Sequence, residues 1–235
     1  MSEYYNPTTA TDRREALKEL CMGKDSGVAW ANEYARRGFP DEFTDRTPII
    51  RMLDRWLSAG KAREVHQVAC SSAREVAYFA QRYPHIRFVG SDIDGAIISA
   101  CQERWGQIPN ISFTTLGLGE LGSREKESLR CDLVFDSGGL QYLDEPTLRA
   151  FFRALLPLTQ KLMFHQPLDI RFFMHKHSSS KPRGNFSWNH PYIRYLKEAG
   201  WEDVGYEVGF IEEHFWAKGV SVFARSTSIG KVGAY

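Results

Sequence analysis

A short turn, two acids and a histidine carry the first chemical signal in this chain. Residues 63–80 read REVHQVACSSAREVAYFA: a strand-like run from Val65 to Ala69, a turn at Cys70-Ser71-Ser72, and a helix-like run from Ala73 to Ala80. That is the layout of a nucleotide-binding strand–turn–helix unit, in which glycine normally lets the backbone approach a ligand. No glycine stands in this turn, so close approach rests on the small side chains of Ala69, Ser71, Ser72 and Ala73. Asp92 lies about twenty residues further on, at the end of the next strand-like run, where a carboxylate accepts hydrogen bonds from ribose hydroxyls. Its neighbour Asp94 is better placed to cap the helix that follows. Asp136 and Ser137 end a later apolar run and lead into Gly138-Gly139. His165 ends the run after that, and is the best-placed candidate for a general base. The segment MHKHSSSKPRG places His175, Lys176 and His177 near Arg171, Lys181 and Arg183. It reads either as a solvated loop or as a lid that neutralises a substrate carboxylate. The His-x-His pair lacks a third ligand, so no metal is expected.

The elements that must position these residues alternate regularly. EVHQVA, IRFVGSD, ISFTTL, CDLVFDS and KLMFHQ read as strands. AREVAYFAQRYP, GAIISACQERWG and EPTLRAFFRALLP read as helices between them, the last capped by Asp144. Strands alternating with helices of about ten residues predict a parallel sheet covered on both faces. Beyond residue 170 come a long excursion, a helix HPYIRYLKEAGW, and two closing strands, EDVGYEVGF and GVSVFARS. Upstream, a helix opens at Asp12 with Glu15 in capping-box spacing. TPIIRMLDRWLSAG is a second helix, with one apolar stripe of Ile49, Ile50, Leu53, Trp56 and Leu57 that Gly60 can end. The expected organisation is an N-terminal helical cap over residues 1–60, a core over 61–227 and a tail over 228–235.

Bulk properties narrow the function. The chain has 235 residues and is 43% hydrophobic, enough for one sizeable core. A net charge of +1 gives no electrostatic case for a nucleic-acid partner or an anionic membrane. No run of about 18 apolar residues suggests a membrane span. Cys21, Cys70, Cys101 and Cys131 are widely spaced, without a Cys-x-x-Cys pair, which suits reduced cysteines in a cytoplasmic protein.

The order of these motifs resembles the seven-stranded, Rossmann-like methyltransferases that use S-adenosyl-L-methionine. The family's first motif is an acid followed by Gly-x-Gly-x-Gly; here Gln67-Val68-Ala69-Cys70-Ser71-Ser72-Ala73 stands there, with Ala or Ser for every glycine. FVGSDIDGAIISACQERW matches the second motif, and CDLVFDSGGLQYLDEPTLRAFFRALLP matches the fourth strand, loop and helix. The third motif usually offers an Asp to adenine, whereas FTTLGLGEL offers Gly117 and Leu118.

The resemblance implies a doubly wound, mostly parallel seven-stranded α/β sheet with an N-terminal helical cap, and S-adenosyl-L-methionine as cofactor. It implies cofactor contacts at Gln67, Ala69, Cys70, Ser71, Asp92, Ile93, Leu118, Asp136, Ser137 and Gly138. Gln67 would replace the acid that holds the methionine ammonium, Ile93 would lie on adenine, and Asp136 would grip the ammonium or orient substrate. His165, Asp136 and Tyr142 are the expected catalytic group, with Tyr142 a substrate wall or a core tyrosine. Trp30 and Tyr34, with Phe39 and Phe43, would close over the sulfonium through cation–π attraction. Asn185, Trp188 and His190 would line the substrate from above. The leading expectation is methyl transfer to a small molecule, by a monomer or homodimer. Two rivals stay open. In one, the cofactor's own amine closes a four-membered ring and releases methylthioadenosine. In the other, the chain is a non-catalytic partner protein on a decayed fold.

Overall fold

Pro48–Leu57 forms the first described helix, α1, because its apolar residues recur at helical spacing. Ile49, Ile50, Leu53 and Leu57 are buried, and Trp56 packs against the same cluster. Gly60, at φ 71°, closes the turn after it, its N–H reaching Leu57 O at 3.0 Å. These features come from a computed structural model that describes residues 48–118, 130–167, 177–183, 187–210 and 218–226. Most of the expected N-terminal cap and the expected tail lie outside the described residues.

The alternation read from the sequence folds as β1 (Glu64–Gln67), α2 (Arg74–Arg82), β2 (Arg87–Asp92), α3 (Gly95–Trp105), β3 (Ile111–Thr115), β4 (Cys131–Ser137), a 3₁₀ turn (Leu140–Tyr142), α4 (Glu145–Leu155) and β5 (Thr159–Pro167). A two-stranded ribbon follows, β6 (Lys181–Arg183) and β7 (Ser187–Asn189). Then come α5 (Tyr192–Ala199), β8 (Glu202–Phe210) and β9 (Lys218–Arg225). The ribbon was not anticipated; the sequence there suggested only a long excursion.

The main sheet has seven strands in the order β3-β2-β1-β4-β5-β9-β8. The first five run parallel, and β9 is antiparallel to both β5 and β8. Chain order reverses between β1 and β4, so the carboxyl ends of those two strands open a crevice. Open α/β sheets bind ligands at such a switch point.

Alternate residues of the central strands feed two cores, which fixes register. Val65, Leu133, Phe135 and Met163 join α1, α2 and α3 in one cluster. Val134, Leu162 and Phe164 join α4 and α5 in the other. Two expected caps fall among the described residues and both form: Asp94 accepts from Ala96 N at 2.8 Å, and Asp144 from Thr147 N at 2.9 Å. The capping box expected at Asp12 lies outside the described residues.

Candidate functional site

The turn between β1 and α2 has an unusual backbone. Ala69, Ser71 and Ala73 all lie in the left-handed region, at φ 48°, 47° and 54°. These alternate positions are the ones where a bare-backbone turn would use glycine, because each Cβ is strained there. The turn is held by partners on other elements. Cys70 N donates to Ser91 O at 2.8 Å, and Ser71 N to Asp92 Oδ2 at 3.0 Å. On α3, the Cys101 thiol donates to Ser71 O at 3.1 Å and Trp105 Nε1 to Ser72 O at 2.9 Å. A bound carbonyl on one side and a bound N–H on the other leave Ser71 little choice of dihedral. The strain is removable: Ser71→Gly is expected to raise stability by about 1 kcal/mol, or about 2–4 °C in melting temperature, as a left-handed Cβ is deleted. A melting scan that shows no rise, or a fall, contradicts this.

Cys70 contributes little from its side chain. Its thiol is buried against Cys101, and that hydrogen bond, together with burial, pushes it well above the usual thiol range. Ala69 and Ser71 are half-buried and reach the surface of the crevice.

Asp92 ends β2 facing this turn. One carboxylate oxygen takes the Ser71 N–H and the other takes Asp94 N at 3.2 Å. It is 8% exposed, and burial raises its pKa despite those donors. A carboxylate has about four acceptor sites, so capacity remains for a ligand's hydroxyls. Ile93 next to it is 55% exposed, a large apolar side chain left at the rim of the crevice. Leu118 is half-buried at the edge of the second core.

Gln67 departs from its expected role. It is fully buried, its Oε1 accepts from Val76 N at 3.1 Å, and its Nε2 donates to Glu75 Oε2 at 3.3 Å. It caps α2 from the neighbouring strand, because Ala73, at the cap position, has no side chain to do so. The nearby negative charge belongs to Glu75, in the first turn of α2, which the sequence motif gave no reason to single out.

Asp136 departs too. It has no exposed surface, and its carboxylate accepts from Gly139 N at 2.9 Å, Leu140 N at 3.2 Å and Gln166 Nε2. Gln166 Oε1 in turn accepts from Gln141 N at 3.0 Å. Burial, partly offset by these donors, raises the Asp136 pKa to about 7. The residue therefore shapes the 137–141 loop through these bonds. The loop itself reaches the crevice. Ser137 and Gly138 are half-buried, and Gly138 has φ 99°. A Cβ at Gly139 would collide with Ala69 Cβ and Asp136 Oδ1, so the two loops touch at this point.

His165 lies near the carboxyl end of β5, in register with Ser137 on one side and Ser221 on the other. It is 4% exposed, and burial lowers its pKa to about 4, which makes it a poor base at neutral pH. Tyr142 is 40% exposed on the 3₁₀ turn, so it is not a core tyrosine. The β6–β7 ribbon packs against this turn, carrying half-buried Trp188 opposite Pro182. His190 departs from expectation: it has no exposed surface, and Nδ1 pairs with Ser180 Oγ at 2.7 Å, which also meets Tyr195 OH at 3.0 Å. It knots the ribbon to α5 instead of facing the crevice. Trp30, Tyr34, Phe39, Phe43, His175 and Asn185 lie outside the described residues. Among the described residues no group of three or more His, Cys, Asp or Glu is arranged to hold a metal, and no helix is long and apolar enough to cross a membrane.

Residues 65–161 match the pattern of a methyltransferase domain. The chain has the Rossmann-like fold of the S-adenosylmethionine-dependent methyltransferases. The solved structures that resemble the chain agree on the fold. Magnesium protoporphyrin IX methyltransferase from Synechocystis, with bound S-adenosylhomocysteine, is 14% identical with a TM-score of 0.64, over 92% of this chain and 99% of that one. The 1,6-didemethyltoxoflavin N1-methyltransferase of Burkholderia thailandensis, with its substrate and S-adenosylhomocysteine, is 15% identical with a TM-score of 0.61, over 96% and 94%. The N-methyltransferase NodS of Bradyrhizobium japonicum is 18% identical with a TM-score of 0.55, over 86% and 100%. No match was found among curated protein sequences. Ring closure of the cofactor draws no support from these comparisons.

Proposed function

We propose that the protein transfers a methyl group from S-adenosyl-L-methionine to a small molecule, in a reducing compartment such as the cytoplasm. The observation that carries this is the turn: three left-handed residues with small side chains, directly hydrogen-bonded to an acid that keeps acceptor capacity. The residues present fit the cofactor. Asp92 would take the ribose hydroxyls and Ile93 would cover a face of the adenine, with Leu118 bordering it. Ala69, Ser71, Ser137 and Gly138 would border the methionine portion. Glu75 supplies negative charge beside Gln67, where the expected acid is missing. When bound, the cofactor supplies an electrophilic methyl on a good leaving group.

The chain's own work is then positional. Holding donor and acceptor in line removes up to roughly 7–11 kcal/mol of barrier in ideal intramolecular cases. Tyr142 and Trp188, on the 3₁₀ turn and the ribbon packed on it, would form the wall on the acceptor side. The small-molecule substrate bound in one structural neighbour, and the S-adenosylhomocysteine bound in both, are consistent with a small acceptor here. Reduced Cys70, Cys101 and Cys131 suit the compartment.

Calorimetric titration with S-adenosyl-L-methionine and with S-adenosylhomocysteine tests the proposal. Saturable heat and a rise in melting temperature are expected with both. Neither signal at millimolar ligand would end it.

A further inference from the structure

Among the described residues, nothing satisfies one polar atom of His165. Its Nδ1 lies 3.0 Å from Ser221 Oγ, and its Nε2 is buried without a hydrogen-bond partner. Buried polar groups are nearly always paired, so such an atom calls for a physical reason. The proton balance says which kind of atom it is. Ser221 is fully buried, and among the described residues His165 is the partner of its hydroxyl. If the ring donated from Nδ1, the hydroxyl proton and the Nε2 lone pair would both be left unmet. If Ser221 donates to Nδ1, the ring proton sits on Nε2 and only that one N–H is unmet. Leaving fewer buried groups unsatisfied is favoured by about 1–3 kcal/mol per group. The second arrangement therefore holds, and Nε2 is a donor.

We infer that His165 presents a buried Nε2–H to an oxygen of the methyl-accepting substrate, and that Ser221 is the positioning residue that fixes this tautomer. The inference rests on the methyl-transfer reading for its ligand, though not for its tautomer. Position supports it. His165 sits one strand from Ser137 at the carboxyl end of the sheet, and that loop touches the β1–α2 turn. A donor fits an acceptor atom such as a carboxylate, phenolate or carbonyl oxygen. It does not fit an amine that needs deprotonation, since an N–H offers no lone pair. This replaces the sequence expectation of a base at His165.

Long-range proton–nitrogen NMR of the intact protein reads the tautomer directly. An Nε2–H, Nδ1-unprotonated ring is expected in the wild type, and a mixed population in Ser221→Ala. Benzoate and phenol, added to the S-adenosylhomocysteine complex, are the oxygen probes, with toluene as the oxygen-free comparison. The His165 Nε2–H resonance is expected to move with benzoate or phenol and to stay put with toluene. His165→Phe is expected to weaken benzoate binding about tenfold, with His165→Gln, which keeps an N–H, restoring part of it. S-adenosylhomocysteine affinity should change less than twofold in all of them. A ring protonated on Nδ1 overturns the inference. So does an Nε2–H that answers to neither oxygen probe, as it would if only water met it. Failure of S-adenosylhomocysteine to bind the wild type would instead sink the cofactor reading, and the ring's tautomer would still be read.

Discussion

Between pH 6.5 and pH 5 the fold is expected to lose about 3 kcal/mol of stability. Three histidines, His66, His165 and His190, are buried and neutral, each with its pKa lowered from 6.5 to about 4 by desolvation. The sign follows from proton counting. Below pH 6.5 the unfolded chain takes up a proton at each site and the folded protein does not, so acid favours unfolding. Stability from this source is complete above pH 6.5 and is lost progressively down to about pH 4. Each histidine contributes about 1.4 kcal/mol per pH unit in that window. Asp136 opposes them. Its pKa rises from 3.8 to about 7, so the folded state holds a proton that the unfolded state releases, and stability falls as pH rises across the same window. Three against one leaves a net uptake of at most about two protons, a slope of no more than about 3 kcal/mol per unit, which is smaller near pH 6.5, where the unfolded histidines are half protonated, and is further reduced by Asp92, whose pKa is also raised. A fall of that size is a large share of the 5–15 kcal/mol typical of a domain. Urea midpoints at pH 7, 6 and 5 read it. A flat profile would contradict it, and His190→Gln should remove about one proton from the slope.

Asp92→Ala is expected to weaken S-adenosylhomocysteine binding by roughly 10- to 100-fold and to destabilise the protein by about 3 kcal/mol. Two backbone donors, Ser71 N and Asp94 N, converge on this carboxylate, and bonds to charged groups contribute about 1.5–3 kcal/mol each. Part of that is offset because the buried carboxylate no longer has to be desolvated. The affinity loss has two sources: the missing acceptor for the ribose, and a Ser71 N–H that no longer holds the turn. Asp92→Asn separates them. It keeps one oxygen but turns an N–H toward a backbone donor, so the turn is disturbed while the side-chain volume is preserved. Asp144→Ala is the control for simple instability. It deletes a helix cap on the far element, at about 1 kcal/mol, and should leave affinity unchanged. Equal affinity for the wild type and Asp92→Ala would remove this residue from the site.

What could be read from the sequence was whatever depends on neighbours in the chain. The strand and helix alternation, the stripe on α1, and the caps at Asp94 and Asp144 are local patterns, and the structure repeats them. Asp92 was legible because its spacing from the turn follows from one βα unit. The misjudged residues are those whose partners lie far away in sequence. Gln67 and Val76 are nine positions apart, but only the folded turn brings the side chain to that N–H. The burial of Asp136 depends on Gln166, thirty positions on, and the role of His165 on Ser221, fifty-six positions on. Cys101 and Trp105 brace the turn from α3, and no motif marks them. The β6–β7 ribbon was invisible because strands of three residues carry no period.

The absence of glycine from the β1–α2 turn also affects what binding has to accomplish. A glycine-rich loop samples many conformations when empty, and a ligand must suppress that freedom as it settles. Alanine and serine sample fewer, and here the braces from Asp92, Cys101 and Trp105 select one of them during folding. The entropy is thus surrendered once, when the chain becomes native, and not again at each catalytic cycle. The pocket wall waits in its final shape, and a guest that does not match that shape meets a surface with little ability to yield.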